Sequence, residues 1–209
     1  DSLGRAAQAC GVEVVTGDTK VVERGGGDGV FINTTGIGVV AGGVRLSADQ
    51  ARPGDRVILS GAIGEHGIAI LATREGLEFE TTIQSDSAPL HTLVAAMLAS
   101  TEAIRCLRDP TRGGLSSACN EIAARSRVAF ELDERAIPLH EDVKGACELL
   151  GLDPLYVANE GKLMAVVAAD AAERLVDVMR RHPLGREAAI VGTVTGAASG
   201  LVTMRTTLG

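Results

Sequence analysis

Three short segments of this 209-residue chain gather side chains able to do chemistry. Gly17-Asp18-Thr19-Lys20 sets a carboxylate, a hydroxyl and an amine in successive positions after a glycine turn. Lys20 can hold an anion or an amide oxygen there; the plainer alternative is a surface turn between strands. In Asp109-Pro110-Thr111-Arg112-Gly113-Gly114-Leu115, the proline disfavours helical geometry at Asp109. The paired glycines let another group approach the backbone. A helix starting directly after them aims its free N–H groups and the positive end of its dipole outward. Phosphate sites are built this way; Arg112 can neutralise phosphate charge and Asp109 can hold magnesium. The alternative is an ordinary helix start after a turn. Asn159-Glu160-Gly161-Lys162 comes directly before a long apolar run, so Glu160 sits at the mouth of a buried strand, where a carboxylate can serve as a general base. A turn with a solvated glutamate is the competing reading. His66, in Gly64-Glu65-His66-Gly67, is a further candidate, whereas His91, His140 and His182 read as helix-flanking residues.

Other chemistries find no support. No histidine pair has metal-ligand spacing. Cys10, Cys106, Cys119 and Cys147 are scattered without C-x-x-C spacing, which predicts reduced thiols rather than a zinc or disulfide framework. Neither a Gly-x-Gly-x-x-Gly turn between strand and helix nor a Gly-x-x-x-x-Gly-Lys-Ser/Thr loop is present. A net charge of −7 argues against a nucleic-acid groove. With Phe31, Phe79, Phe130 and Tyr156 as the only aromatics, platforms for stacking bases are nearly absent. No apolar run reaches the roughly 18–20 residues of a membrane span. The opening residues carry no secretory or transit pattern, so the expected compartment is the cytoplasm.

These segments must be positioned by a core of Val, Leu, Ile and Ala. Asp1–Cys10 reads as a helix whose Leu3, Ala6, Ala7 and Cys10 share one face. Strand patterns follow at 12–15, 20–23, 30–33, 38–46 and 57–60. The polar stretch 46–55, with Pro53-Gly54, is the expected domain boundary or linker. A short helix through Ile68, Leu71 and Ala72 ends at Gly76. The apolar spacing of Leu90, Leu93, Val94, Met97, Leu98 and Thr101 predicts a helix over 88–106. Another helix begins near Gly114, with Leu115, Ala118, Cys119, Ile122 and Ala123 along its stripe. A strand over 130–133, a helix over 141–150, a doubly buried strand over 162–169, a helix over 171–181 and strands over 188–195 and 201–207 complete the chain. Alternating elements make the class α/β or layered α+β, a mixed sheet flanked by helices.

The segments quoted above, with Phe31-Ile32-Asn33-Thr34-Thr35-Gly36-Ile37-Gly38 and Ser85-Asp86-Ser87-Ala88-Pro89-Leu90, together resemble the HypE-like carbamoyl dehydratases of hydrogenase maturation. That family belongs to the superfamily of aminoimidazole ribonucleotide synthetase, selenophosphate synthetase and thiamine-monophosphate kinase. Order and spacing agree across nearly the whole chain, and Asp-Pro-Thr-Arg-Gly-Gly-Leu is specific within the superfamily. The resemblance implies an ATP- and Mg²⁺-using enzyme that phosphorylates the carboxamide oxygen on the sulfur of a C-terminal cysteine. Loss of phosphate leaves a thiocyanate, whose cyanide goes to the iron of [NiFe]-hydrogenase. It further implies that Lys20 and Glu160 are catalytic and that Asp109, Thr111, Arg112, Gly113 and Gly114 face the nucleotide. Asp18, Thr19, His66 and Asn159 are further site residues on this reading. Partners would be a carbamoyltransferase, an iron-cofactor scaffold or chaperone, and a second copy of the chain.

Two departures from the family pattern shape the expectation. The family's N-terminal region, with a glycine-rich segment and acidic metal ligands, is missing here. So is its Pro-Arg-Ile-Cys tail, since this chain stops at Thr206-Thr207-Leu208-Gly209. The chain therefore reads as residues 1–45 of an N-terminal ATP-binding domain joined to a C-terminal synthetase-like domain, 46–209. Such a piece is expected neither to complete the nucleotide site nor to carry the substrate, and its unpaired strand edge invites association. The alternatives are another ATP-using superfamily enzyme, of the selenophosphate or thiamine-phosphate kind, or a non-catalytic docking module.

Overall fold

The computed structural model describes residues 2–27, 29–77, 83–196 and 200–208; Asp1, Phe79 and Gly209, quoted above, lie outside them. The chain divides into two units, residues 1–44 and 45–209.

In the first unit a helix, α1, spans Ser2–Cys10 where the apolar spacing predicts it, but none of its residues is buried. The strands expected between residues 12 and 46 are not formed. Among the described residues this stretch forms no ladder, and Val21, Val30, Ile37 and Val39 are 82–101% exposed. The alternation that marks a strand supplies only a propensity; the ladder needs a neighbouring strand to take its N–H and C=O groups.

The second unit is a six-stranded mixed sheet in the order β2-β4-β1-β5-β3-β6. Its strands are β1 Arg56–Leu59, β2 Ile104–Arg108, β3 Ala129–Asp133, β4 Met164–Val167, β5 Ala189–Thr195 and β6 Val202–Arg205. All neighbours pair antiparallel except β3 and β6. The helices are α2 Glu65–Glu75, α3 His91–Ser100, α4 Gly114–Ser126, α5 Glu141–Leu150 and α6 Ala169–Arg180. The period of two along β4 explains its unbroken apolar run. Met164 and Val166 join a core with Leu115, Cys119 and Ile122 of α4, while Ala165 and Val167 join one with Leu93 and Met97 of α3 and Leu175 and Met179 of α6. A third cluster ties α2 to α5 through Ile68, Val143 and Cys147. No described helix is long and apolar enough to cross a membrane.

One sequence expectation needs correction in this unit. The helix expected over 88–106 stops at Ser100, and its last residues give way to β2. Thr101 turns extended, and its hydroxyl accepts the Ala103 N–H at 3.1 Å, a local bond that competes with helix continuation. The 46–55 stretch, the expected domain boundary or linker, lies just past the division between the units and is tied to the second one. Ser47 N–H reaches Arg105 O, Ala51 N–H reaches Ser126 Oγ, and Asp55 is buried.

Candidate active site

Three loops of the second unit are knotted together by one buried side chain, Asn159. Its Oδ1 accepts the Gly64 N–H at 2.8 Å, and its Nδ2 donates to Pro110 O at 2.9 Å and Val157 O at 3.0 Å. Its backbone N–H adds a bond to Pro110 O at 3.2 Å. An amide suits this place because it is donor and acceptor at once, and no solvent is there to satisfy either end. Asn159, one of the expected site residues, therefore assembles the site instead of facing a ligand. The start of α2, with His66, and the loop before α4 are both fixed against the segment that carries Glu160.

The Glu160 side chain is exposed and has no partner among the described residues, whereas its peptide is held firmly. Its N–H donates to Asp86 Oδ1 at 2.9 Å. From Asp86 a line of alternating charges runs outward to the surface. Asp86 Oδ2 lies 3.7 Å from Lys162 Nζ, which donates to Glu65 Oε2 at 2.9 Å. Glu65 Oε1 stands 3.2 Å from His140 Nδ1, and His140 Nε2 stands 2.9 Å from Glu187 Oε1. His66 flanks the same turn, with its Nδ1 2.8 Å from Ser85 Oγ. Sequence reading passed over Asp86, Glu65, Lys162, His140 and Glu187 as site components. Partners separated by up to 97 residues leave no local signal.

His140, expected to be helix-flanking, is indeed the residue before α5, but both its ring nitrogens meet carboxylates. The hydrogen bond to Glu187 raises its pKa above the ordinary 6.5; burial opposes this, and the charges of Glu187, Glu65 and Asp142 reinforce it. With the folded pKa above the unfolded one, His140 contributes stability fully below about pH 6.5 and loses it as pH rises through the folded value. The thermal-stability gap between the protein and its His140→Gln variant should therefore shrink from pH 6 to pH 9. A gap that stays constant would show that His140 is not held charged.

Asp109, Thr111 and Arg112 line the approach to α4. Thr111 Oγ1 donates to Asp109 Oδ2 at 3.1 Å, and the exposed Arg112 guanidinium pairs with no described residue. The glycines behave differently from their sequence expectation. Gly114 has φ +61°, and a Cβ there would press on Leu155 O and lie 2.7 Å from Val157 O. The group that closely approaches this glycine is thus the chain's own 155–157 backbone. Gly113, at φ +69°, opens α4 without a side-chain cap. Among the described residues no group of three or more His, Cys, Asp or Glu side chains is placed to hold a metal ion, so Asp109 has no such companions.

Lys20, Asp18 and Thr19 belong to the first unit. Thr19 N–H donates to Asp18 Oδ1 at 2.8 Å, and Lys20 Nζ lies 4.0 Å from Asp18 Oδ2, with both charged side chains exposed. All four cysteines are free. Burial pushes the thiols of Cys106 and Cys119 up to about 11 and about 12, which leaves them poor nucleophiles.

A mixed sheet carrying this loop cluster at one end is the architecture of a known family. Residues 52–204 match the family described as AIR synthase related protein, C-terminal domain, and the chain belongs to it. Within that family its likeness is to HypE. It is 63% identical over all 209 residues to carbamoyl dehydratase HypE of Azotobacter vinelandii, covering 61% of that protein. It superposes on a crystal structure of HypE in complex with ATP with TM-score 0.96 and 47% identity, covering 100% of this chain and 64% of that one. For a crystal structure of the HypE–HypF complex the values are 0.95 and 47%, covering 100% and 68%. The chain thus spans about three fifths of the length of the curated relatives it matches.

Proposed function

We propose that this chain is the catalytic-domain portion of an ATP-dependent carbamoyl dehydratase that converts a cysteine S-carboxamide to a thiocyanate for hydrogenase maturation, acting in the cytoplasm. The carboxamide oxygen attacks the γ-phosphorus of ATP; the P–O bond to ADP breaks, and one N–H proton leaves. The C–O bond then breaks with the second N–H proton, releasing phosphate and leaving S–C≡N. Glu160 takes a proton from the amide nitrogen, Lys20 holds the amide or transferring phosphoryl oxygen, and Thr111, Arg112 and the start of α4 face the phosphates. The observation that carries this reading is the Glu160 carboxylate, unpartnered and exposed while its peptide is anchored to buried Asp86. The likeness to HypE supports the reaction class, and the likeness to HypE in complex with ATP supports the nucleotide.

Magnesium enters only as the nucleotide's counter-ion. Among the described residues no three His, Cys, Asp or Glu side chains gather to hold a metal ion, which does not fit a resident metal centre, and no step is routed through one. By its likeness to HypE, the carbamoylated thiol is taken to be a C-terminal cysteine of the full-length protein. Its carbamoyl donor is a carbamoyltransferase of the HypF kind, its cyanide acceptor an iron-cofactor scaffold, and the working unit a homodimer. The test uses the full-length protein charged by its donor system and given MgATP, with the C-terminal peptide weighed by mass spectrometry. Loss of one water is expected, and Glu160→Gln should slow it by about 10²–10⁴-fold, the range of a lost general base; Lys20→Ala should also abolish rapid turnover. Full-rate dehydration by Glu160→Gln would remove Glu160 from the mechanism.

A further inference from the structure

The carboxylate of Asp86 has a role that neither shape nor solubility explains. Its side chain is fully buried, one ammonium group stands 3.7 Å away, and Oδ2 has no hydrogen-bond partner among the described residues. Burying a carboxylate is expensive unless something specific holds it. Here one oxygen is committed to the Glu160 peptide N–H, and a charged acceptor makes that bond roughly twice as strong as a neutral one. Gly161 reinforces the seating. A Cβ there would overlap Asp86 O and stand 3.0 Å from Ala88 N, so the 86–88 turn sits directly on the 160–162 backbone. Lys162, two residues beyond Glu160, faces Asp86 from the other side and is itself anchored on Glu65.

We propose that Asp86 is a positioning residue for Glu160: its buried carboxylate clamps the 159–162 peptide so that the Glu160 side chain is presented at the reacting amide, with Lys162 and Glu65 holding the clamp in place. This rests on the reading of Glu160 as the base. Asp86 itself touches no reacting atom. The clamp sets where the base stands, not what the protein binds, so its loss should be felt in the dehydration step and not in nucleotide affinity.

The experiment measures single-turnover thiocyanate formation by the full-length protein and its Asp86→Ala and Asp86→Asn variants, each alone and combined with Glu160→Gln. Asp86→Ala should slow dehydration by about 10²-fold, the scale of a 1 Å misplacement, with the KM for ATP unchanged. Asp86→Asn keeps an acceptor for the Glu160 N–H and should restore the rate to within about 10-fold of the parent, since the bond it makes is only the weaker neutral kind. In the Glu160→Gln background either Asp86 substitution should cost less than about 2-fold, because residues acting as a unit are not additive. Additive losses would overturn the proposal, and Asp86→Asn decides the point if Asp86→Ala does not fold. A second readout needs no turnover. The Glu160 backbone amide, followed by ¹H–¹⁵N NMR, should shift upfield and exchange faster in Asp86→Ala; an unmoved amide would equally overturn the clamp. If Glu160→Gln alone leaves the rate intact, the base assignment fails, while the amide shift still reports on the clamp.

Discussion

Gly161→Ala is expected to destabilise the second unit by about 4 kcal/mol, near the top of the range for single substitutions, and to remove activity with it. Gly161 is buried, and an added Cβ would overlap the carbonyl oxygen of Asp86, lie 2.8 Å from its carbonyl carbon and 3.0 Å from Ala88 N. These are backbone atoms, so no side chain can swing aside to relieve the clash. The 85–88 turn must lift off, and with it go the Asp86 bond to Glu160 N–H and the approach of Asp86 to Lys162. Lys162 would then keep only Glu65 as a partner, and the Asp86 charge would be left in an apolar setting or driven to solvent. Gly145 provides the control. It lies inside α5, and a Cβ there meets nothing within 4 Å. Gly145→Ala should stabilise by roughly 0.5–1 kcal/mol, the helix-propensity gain alone. Urea unfolding checks both signs. Equal midpoints for the two variants would show that the turn yields far more easily than its backbone contacts indicate.

The second unit was largely legible in the sequence because its signals are local. Gly76 ends α2 with φ +63°, its N–H on Ala72 O, as a glycine following a helical stripe should. The apolar run before Ala168 needed no partner to be recognised as a doubly buried strand. What failed failed for non-local reasons. Ile104–Arg108 continues the apolar spacing of α3, so the start of β2 is invisible until Thr101 and the neighbouring β4 are in place. Residues 12–46 have the composition of strands, but composition cannot provide the ladder.

The candidate site divides along the same line. Asp109, Thr111, Arg112, Asn159 and Glu160 were legible because each lies in a short segment dense in glycine and polar groups. Their division of labour was not. Asn159, expected only as a further site residue, ties the loops together, and Gly114, expected to let another group approach, is packed on Leu155 and Val157. The charge line behind Glu160 draws Glu65, Asp86, His140, Lys162 and Glu187 from five separate segments. A single Asp in a serine-rich turn, or a single His before a helix, carries no mark of that gathering. Only the fold supplies it, through the α2–α5 cluster and the seating of the 85–88 turn on Gly161.

Asn159→Asp should be worse than Asn159→Ala, although it is the more conservative exchange in shape. Alanine removes the acceptor of the Gly64 N–H and the donor to Pro110 O and Val157 O. Pro110 O retains the Asn159 backbone N–H, so the principal orphan is Gly64 N–H. An unsatisfied buried group and the lost network together set the loss at about 2–3 kcal/mol. Aspartate preserves the acceptor toward Gly64 but replaces the amide nitrogen with a second oxygen, set against two carbonyl oxygens at a position with no solvent exposure. The group must either ionise against those carbonyls or become protonated at a raised pKa, and the loss should reach about 4 kcal/mol at pH 7, the scale of an uncompensated buried charge. Because protonation turns the second oxygen into a donor, the deficit should narrow as pH falls toward 5, opposite in sense to most carboxylate effects. At roughly 2–4 °C per kcal/mol for a domain of this size, melting temperatures would fall by about 4–12 °C for alanine and by about 8–16 °C for aspartate at neutral pH. Thermal melts of both variants at pH 5 and pH 7 decide the matter. If the aspartate variant is the more stable at pH 7, Nδ2 contributes little and the loops are tied by the Gly64 bond alone.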